Sequence, residues 1–174
     1  QICQTIDPYV VNDLRNFLFG APGAGGFDLA ALDIQRGRDH GLPDYNAARV
    51  ALKLAPRRSF AEISRDPEIQ ARLAAAYATV DDIDVLVGGL AEDPRPGAMV
   101  GELLFTVIKT QFEALRDGDR FWYQRTLTPQ EIAEVENTRL ADIIRRNTPI
   151  AQEIPDDVFH VRPNPPPPTG PGRR

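Results

Sequence analysis

At 174 residues, 42% hydrophobic and 26% charged, the chain is long enough for one domain with an apolar core, and its composition excludes a wholly disordered or fibrous protein. A net charge of −5 gives no long-range attraction to nucleic acid or anionic lipid. The strongest apolar stretch, 99–108, is broken by Gly101, Glu102 and Thr106, so nothing reads as a membrane span. Cys3 stands alone and can form neither an internal disulfide nor a cysteine metal site.

In chain order, the first residues show neither an initiator methionine nor the basic-then-apolar pattern of a secretory leader, which says nothing if the chain is part of a longer protein. Asp7-Pro8 supplies an N-cap and a first-turn proline for a helix that Gly20 stops. The glycines of 20–26 lack the flanking strand and helix of a phosphate loop and read as a connector. The polar run 33–40 reads as irregular backbone held by side-chain hydrogen bonds. Asp44 caps a helix over 45–54, ended by Ala55-Pro56, with Asn46 and Arg49 on one face.

Ser59 and Glu62 have capping-box spacing for a short helix, and Asp66-Pro67 opens another carrying Ile69, Leu73 and Tyr77. A helical piece over 81–86 is expected to close at Gly88-Gly89. The most apolar helix, 98–115, is expected to be central, because its apolar residues recur at intervals of three and four. The run 116–120 reads as a turn with ion pairs followed by buried Phe121 and Trp122. Thr128-Pro129-Gln130-Glu131 is a capping box opening a helix to about Asn147, with Ile132, Val135, Ile143 and Ile144 inward. The class is mainly α with long loops, foldable over 1–161. The proline-rich tail 162–174 reads as polyproline II or disorder.

One stretch is specific beyond its periodicity. The sequence DLAALDIQRGRDHGLPDYNAAR at 28–49 resembles the signature that follows the proximal haem helix of animal-type haem peroxidases. DIDVLVGG at 82–89, GELL at 101–104 and TQFEALRDGDRFWY at 110–123 resemble later segments of that family in the same order. The resemblance spans about 7–150 and implies the C-terminal part of an irregular multi-helix haem peroxidase fold, nearest the peroxidasin-like members.

That resemblance implies a haem, b-type or covalently modified, whose proximal His, distal His and distal Arg all precede this segment. Proton transfer between peroxide oxygens needs a base, and the developing charge needs a cation. By motif position Asn46 is similar to the asparagine that accepts a hydrogen bond from the ring N–H of the proximal His, fixing its tautomer and basicity. Arg49 is similar to the arginine that pairs with a haem propionate, and Leu42 to a residue at the haem edge. Two positions depart from the pattern: Asp33, where the family commonly has Asn, and Ala48, where Trp is frequent. The extra carboxylate has Arg36 and Arg38 as candidate partners.

The remaining polar residues read as structural. His40, with charged neighbours Arg38 and Asp39, is taken as a hydrogen-bonding residue rather than a base or iron ligand, and His160 beside Asp156 and Asp157 as a solvated loop residue. No residue of this chain is assigned a catalytic role or a metal. The function implied is hydrogen-peroxide-dependent oxidation of small electron donors or halides by a larger enzyme, whose upstream part is the partner of this chain. The alternative is a non-enzymatic, truncated peroxidase-like interaction module. An extracellular or periplasmic setting is implied by resemblance only.

Overall fold

A computed structural model describes residues 7–12, 14, 28–150 and 153–159. Most of the first expected helix, the glycine connector, His160 and the tail lie outside the described residues. The chain divides into two compact units, Asp7–Arg116 and a second that includes Asp117–Arg174. Among the described residues every named element is helical, and none is long and apolar enough to cross a membrane.

In the first unit α1 (Leu29–Asp39) leads to α2 (Tyr45–Ala51), the short α3 (Phe60–Ile63), α4 (Pro67–Ala76), a 3-10 turn (Val80–Asp82), α5 (Val85–Ala91) and α6 (Glu102–Gly118). The run 33–40, expected to be irregular, is instead the body of α1. Asp28 caps it by accepting from the Ala31 amide, and Gln35 to Asp39 and Arg36 to Asp33 bridge successive turns along its exposed side. Polar density had concealed a helix whose hydrogen bonds are local.

Helix α2 carries the centre of the fold. Its Tyr45, Asn46, Ala48 and Arg49 are all buried, and it packs against α5 and the 3-10 turn. Tyr45 and Ala48 form the core with Ile63, Leu73, Val80, Ile83, Ala91 and Leu103, each large apolar member contributing about 1.5–3 kcal/mol. The Tyr45 amide bonds to the Ile83 carbonyl at 2.8 Å, within an isolated bridge pairing Asp44 and Asp84.

The glycine pair was expected to end a helix, yet α5 runs through it. A Cβ on Gly88 would collide with the Tyr45 ring, so this glycine serves a close helix-to-helix approach rather than a stop. Helix α2 ends sooner than expected, in a left-handed cap. Lys53 sits at φ 62°, its amide bonds to the Val50 carbonyl at 2.9 Å, and the Leu54 amide returns to the Arg49 carbonyl at 2.9 Å. These are the two bonds of a Schellman motif.

Ser59 makes no side-chain cap on α3; Glu62 instead accepts from the Arg58 amide at 2.9 Å. Asp66 does cap α4, with Pro67 in its first turn. The central position expected for the apolar helix is not observed. It begins at Glu102 rather than Ala98, only Leu103 is buried, and Val107, Ile108, Phe112 and Leu115 are exposed.

The second unit contains α7 (Tyr123–Thr126), α8 (Pro129–Asn137) and α9 (Leu140–Asn147). The Thr128–Glu131 capping box is present as expected. The single helix expected to reach Asn147 is two, separated at Thr138-Arg139, and Val135 and Ile143 are exposed. Phe121, expected to be buried, is 67% exposed, while Trp122 is half-buried against the Tyr123 ring. Arg125 holds the preceding turn by donating to the carbonyls of Asp117 and Asp119.

Candidate functional site

The N-cap at Asp44 fixes the start of α2, so Asn46 and Arg49 emerge one turn apart on the same buried side. Asn46 is clamped by one loop residue. Its Nδ2 donates to the Arg57 carbonyl at 2.8 Å, and its Oδ1 accepts from the Arg57 amide at 2.8 Å. Nδ2 also donates to Asp81 Oδ1 at 2.6 Å. Both amide protons are thereby used. The oxygen, which has two lone pairs, accepts one bond.

Arg49 has no exposed surface and uses all three nitrogens. Nε donates to the Ala55 carbonyl at 2.7 Å, Nη1 to Glu92 Oε1, and Nη2 to Glu102 Oε2 at 2.5 Å. The Schellman motif turns the chain after α2 and so presents the Ala55 carbonyl to Arg49. Glu92, itself buried, also accepts from the Tyr45 hydroxyl at 2.7 Å and from the Leu103 amide at 2.7 Å. Arg57 reaches Glu102 Oε2 at 3.2 Å.

The charges follow from these contacts. Burial works against the Arg49 cation, but its hydrogen bond to Glu102 and the charges around it hold its pKa above the ordinary value. The Arg49 hydrogen bond, opposed by burial and aided by Arg57 and Arg95, keeps the Glu102 carboxyl below the usual carboxylate range. Burial and the Glu92 contact push the Tyr45 phenol far up.

Leu42 is not part of this cluster. It is 56% exposed and lines a separate cavity of about 590 Å³ with His40, Arg36 and Arg38. The two arginines there are paired: Asp33 takes Arg36 at 2.5 Å, as the extra carboxylate allowed, and Asp84 takes Arg38 at 2.7 Å. The described residues hold no cluster of acids, histidines or cysteines able to bind a metal ion.

The sequence reading missed Glu92, Glu102 and Arg57, and gave Asp81 no role beyond opening the helical piece 81–86. Glu92 and Glu102 lie 43 and 53 residues from Arg49, a separation at which no helical or strand periodicity carries a signal. The local clue was Arg49 itself, because an arginine placed on the apolar side of a capped helix requires acids from elsewhere.

Residues 1–159 match the animal haem peroxidase family, and the chain belongs to it. It is 47% identical to peroxinectin A of Dictyostelium discoideum over 161 residues, covering 92% of this chain and 29% of that protein. Human eosinophil peroxidase is 39% identical over 160 residues, covering 89% of this chain and 22% of the relative. The solved structure of peroxidase A from Dictyostelium discoideum superposes with a TM-score of 0.78 at 47% identity, covering 89% of this chain and 30% of that one. A fatty acid alpha-dioxygenase of Oryza sativa superposes with a TM-score of 0.66 at 29% identity, covering 81% and 25%. The chain therefore spans under a third of the length of these relatives, and it is part of an animal haem peroxidase domain. The helical class expected from the sequence agrees with this fold.

Proposed function

We propose that the chain forms the support on the proximal side of the haem in a peroxidase that uses hydrogen peroxide to oxidise small donors or halides. The reading is supported by the family, and one observation carries it to particular atoms. Asn46 is 6% exposed, its Nδ2 is held by two acceptors, and its Oδ1 keeps one accepting position. A buried amide oxygen held by its own loop suits a donor delivered by packed protein better than one arriving from solvent. The ring N–H of an iron-ligating histidine from the rest of the domain is such a donor.

Asn46 would set that histidine's tautomer and raise its basicity, and Arg49 would supply a permanent positive charge near a propionate. The haem, when bound, would supply the iron chemistry that cleaves the peroxide O–O bond. Arg49 as placed is fully buried, with three of its five N–H groups donating to protein oxygens, so a propionate reaches it only where a neighbouring glutamate gives way. Leu42 at the haem edge, and an extracellular or periplasmic setting, belong to the proposal on resemblance alone.

The test is Asn46→Ala and Asn46→Asp in the complete peroxidase domain, followed by the iron reduction potential and by turnover. Loss of the neutral acceptor is expected to shift the potential and lower turnover by about 10–100-fold. An unchanged potential and rate in folded Asn46→Ala protein would remove the assignment. The chain by itself is expected to give no turnover above that of free haemin.

A further inference from the structure

We infer that Arg49 has one permanent carboxylate partner, Glu92, and one exchangeable partner, Glu102, and that Glu102 holds the place of a ligand carboxylate, the haem propionate of the reading above. The inference rests on that reading and assigns the residue that competes with the ligand.

The two glutamates differ in how they are held. Glu92 has a side chain 3% exposed and both oxygens engaged: Oε1 takes Arg49 and Tyr45, and Oε2 takes the Leu103 amide. Its carboxylate lies so close to Gly101 that a Cβ there would stand 2.5 Å from Oε2. Releasing Glu92 would strand a hydroxyl, a helix amide and a guanidinium inside the core, so it stays.

Glu102 has a side chain 40% exposed and uses Oε2 alone, shared between Arg49 and Arg57. It is the first residue of α6 and lines an open cavity of about 380 Å³ with Arg57 and Arg95. Swung outward it would still sit at the start of α6, where a negative charge remains favourable. What it would vacate is Nη2 of Arg49 beside Nη2 of Arg57.

The cations left behind match a carboxylate. Arg57 Nε is, among the described residues, the buried side-chain nitrogen or oxygen that has no hydrogen-bond partner. Arg95, stacked 4.4 Å over the Phe105 ring, adds a third positive charge on the wall of the cavity. A ligand carboxylate with two free oxygens can engage Arg49 with one and Arg57 with the other, which Glu102 with its single engaged oxygen does not do.

Metal-free protoporphyrin IX is the probe, because it presents the propionates without iron coordination, and its dimethyl ester presents the same ring without them. Binding to the complete peroxidase domain in its haem-free form is read from the Soret band for the wild type, Glu102→Gln and Glu92→Gln, with far-UV circular dichroism to verify folding. Removing the internal competitor is expected to tighten the diacid about fivefold, the worth of a partly exposed ion pair, and to leave the ester unchanged. Glu92→Gln is expected to lower stability without tightening either probe.

Equal diacid affinity in wild type and Glu102→Gln, with both binding, overturns the exchange while the haem reading stands. Equal tightening by Glu92→Gln overturns the division into permanent and exchangeable partners. Absence of diacid binding in all three proteins overturns the inference together with the propionate role of Arg49, and leaves Asn46 to be judged by the potential measurement.

Discussion

The hydroxyl of Tyr45 and the carboxylate of Glu92 meet at 2.7 Å inside the core, on the same oxygen that takes Arg49. One carboxylate thus neutralises a buried cation, satisfies a buried phenol and, through its other oxygen, receives the first buried amide of α6. Helix α2 and the start of α6 are joined through this residue. A buried pair of this kind contributes little against an apolar replacement of both members, but losing one member leaves the other stranded.

Glu92→Gln is therefore expected to destabilise the chain by about 3–5 kcal/mol in urea unfolding. Tyr45→Phe removes a single donor and is expected to cost about 1 kcal/mol. Comparable losses for the two variants would show that Glu92 is not the hub described.

The glycines of α5 are expected to respond unequally. Gly88→Ala drives a methyl into the Tyr45 ring and should cost about 1–3 kcal/mol. At Gly89 the atoms nearest an added Cβ belong to the side chain of Leu104, at 3.1 and 3.2 Å, which can yield. Alanine there also gains up to about 1 kcal/mol of helix propensity, so its midpoint should lie well above that of Gly88→Ala. Similar midpoints would contradict the packing.

Lys53 carries a side chain at φ 62°, where glycine alone is free of steric cost. Lys53→Gly is expected to raise the stability by about 0.5–1 kcal/mol, since relief of strain exceeds the added freedom of the unfolded chain. A thermal melt showing a lower Tm for the variant would reject the left-handed cap.

The pH response has two sides. All four tyrosines have raised pKa values, Tyr77 pushed up to about 12 by burial and its bond to Asp84, and Tyr45 further by burial and Glu92. The folded chain thus holds these protons more tightly than the unfolded one. The associated stability is complete below about pH 10, the unfolded value, and is lost as pH rises through the folded values. On the acid side, Glu102 is lowered by Arg49, Asp84 by Arg38, and Asp93 by Arg65 and Ser64 against burial. Their contribution is present above the unfolded value of about 4 and disappears as pH falls through the folded values. Phenolate absorbance rising near pH 10 while circular dichroism remains native would refute the alkaline half. Constant urea stability from pH 5 down to 2 would refute the acid half.

Where local chemistry decides the structure, the sequence was readable. Asp44 before Tyr45, Asp66-Pro67 and Thr128-Pro129 each mark a helix start that the chain uses, because a cap is made by residues a few positions apart. The polar run in α1 was misread because its side chains pair with one another along the helix and imitate a hydrogen-bonded loop. Gly88-Gly89 was misread because a stop and a close approach use the same residue, and the partner, Tyr45, comes from another helix. At the site, motif position pointed to Asn46 and Arg49, whereas the acids around Arg49 are set by tertiary packing.

Asn46 takes both the N–H and the C=O of Arg57, a demand that among side chains of its size only a carboxamide meets. Aspartate accepts without donating, and leucine does neither. The architecture therefore selects this amide before any ligand is considered, and a descendant of this chain put to any other use would still be held to asparagine by the shape of its own loop.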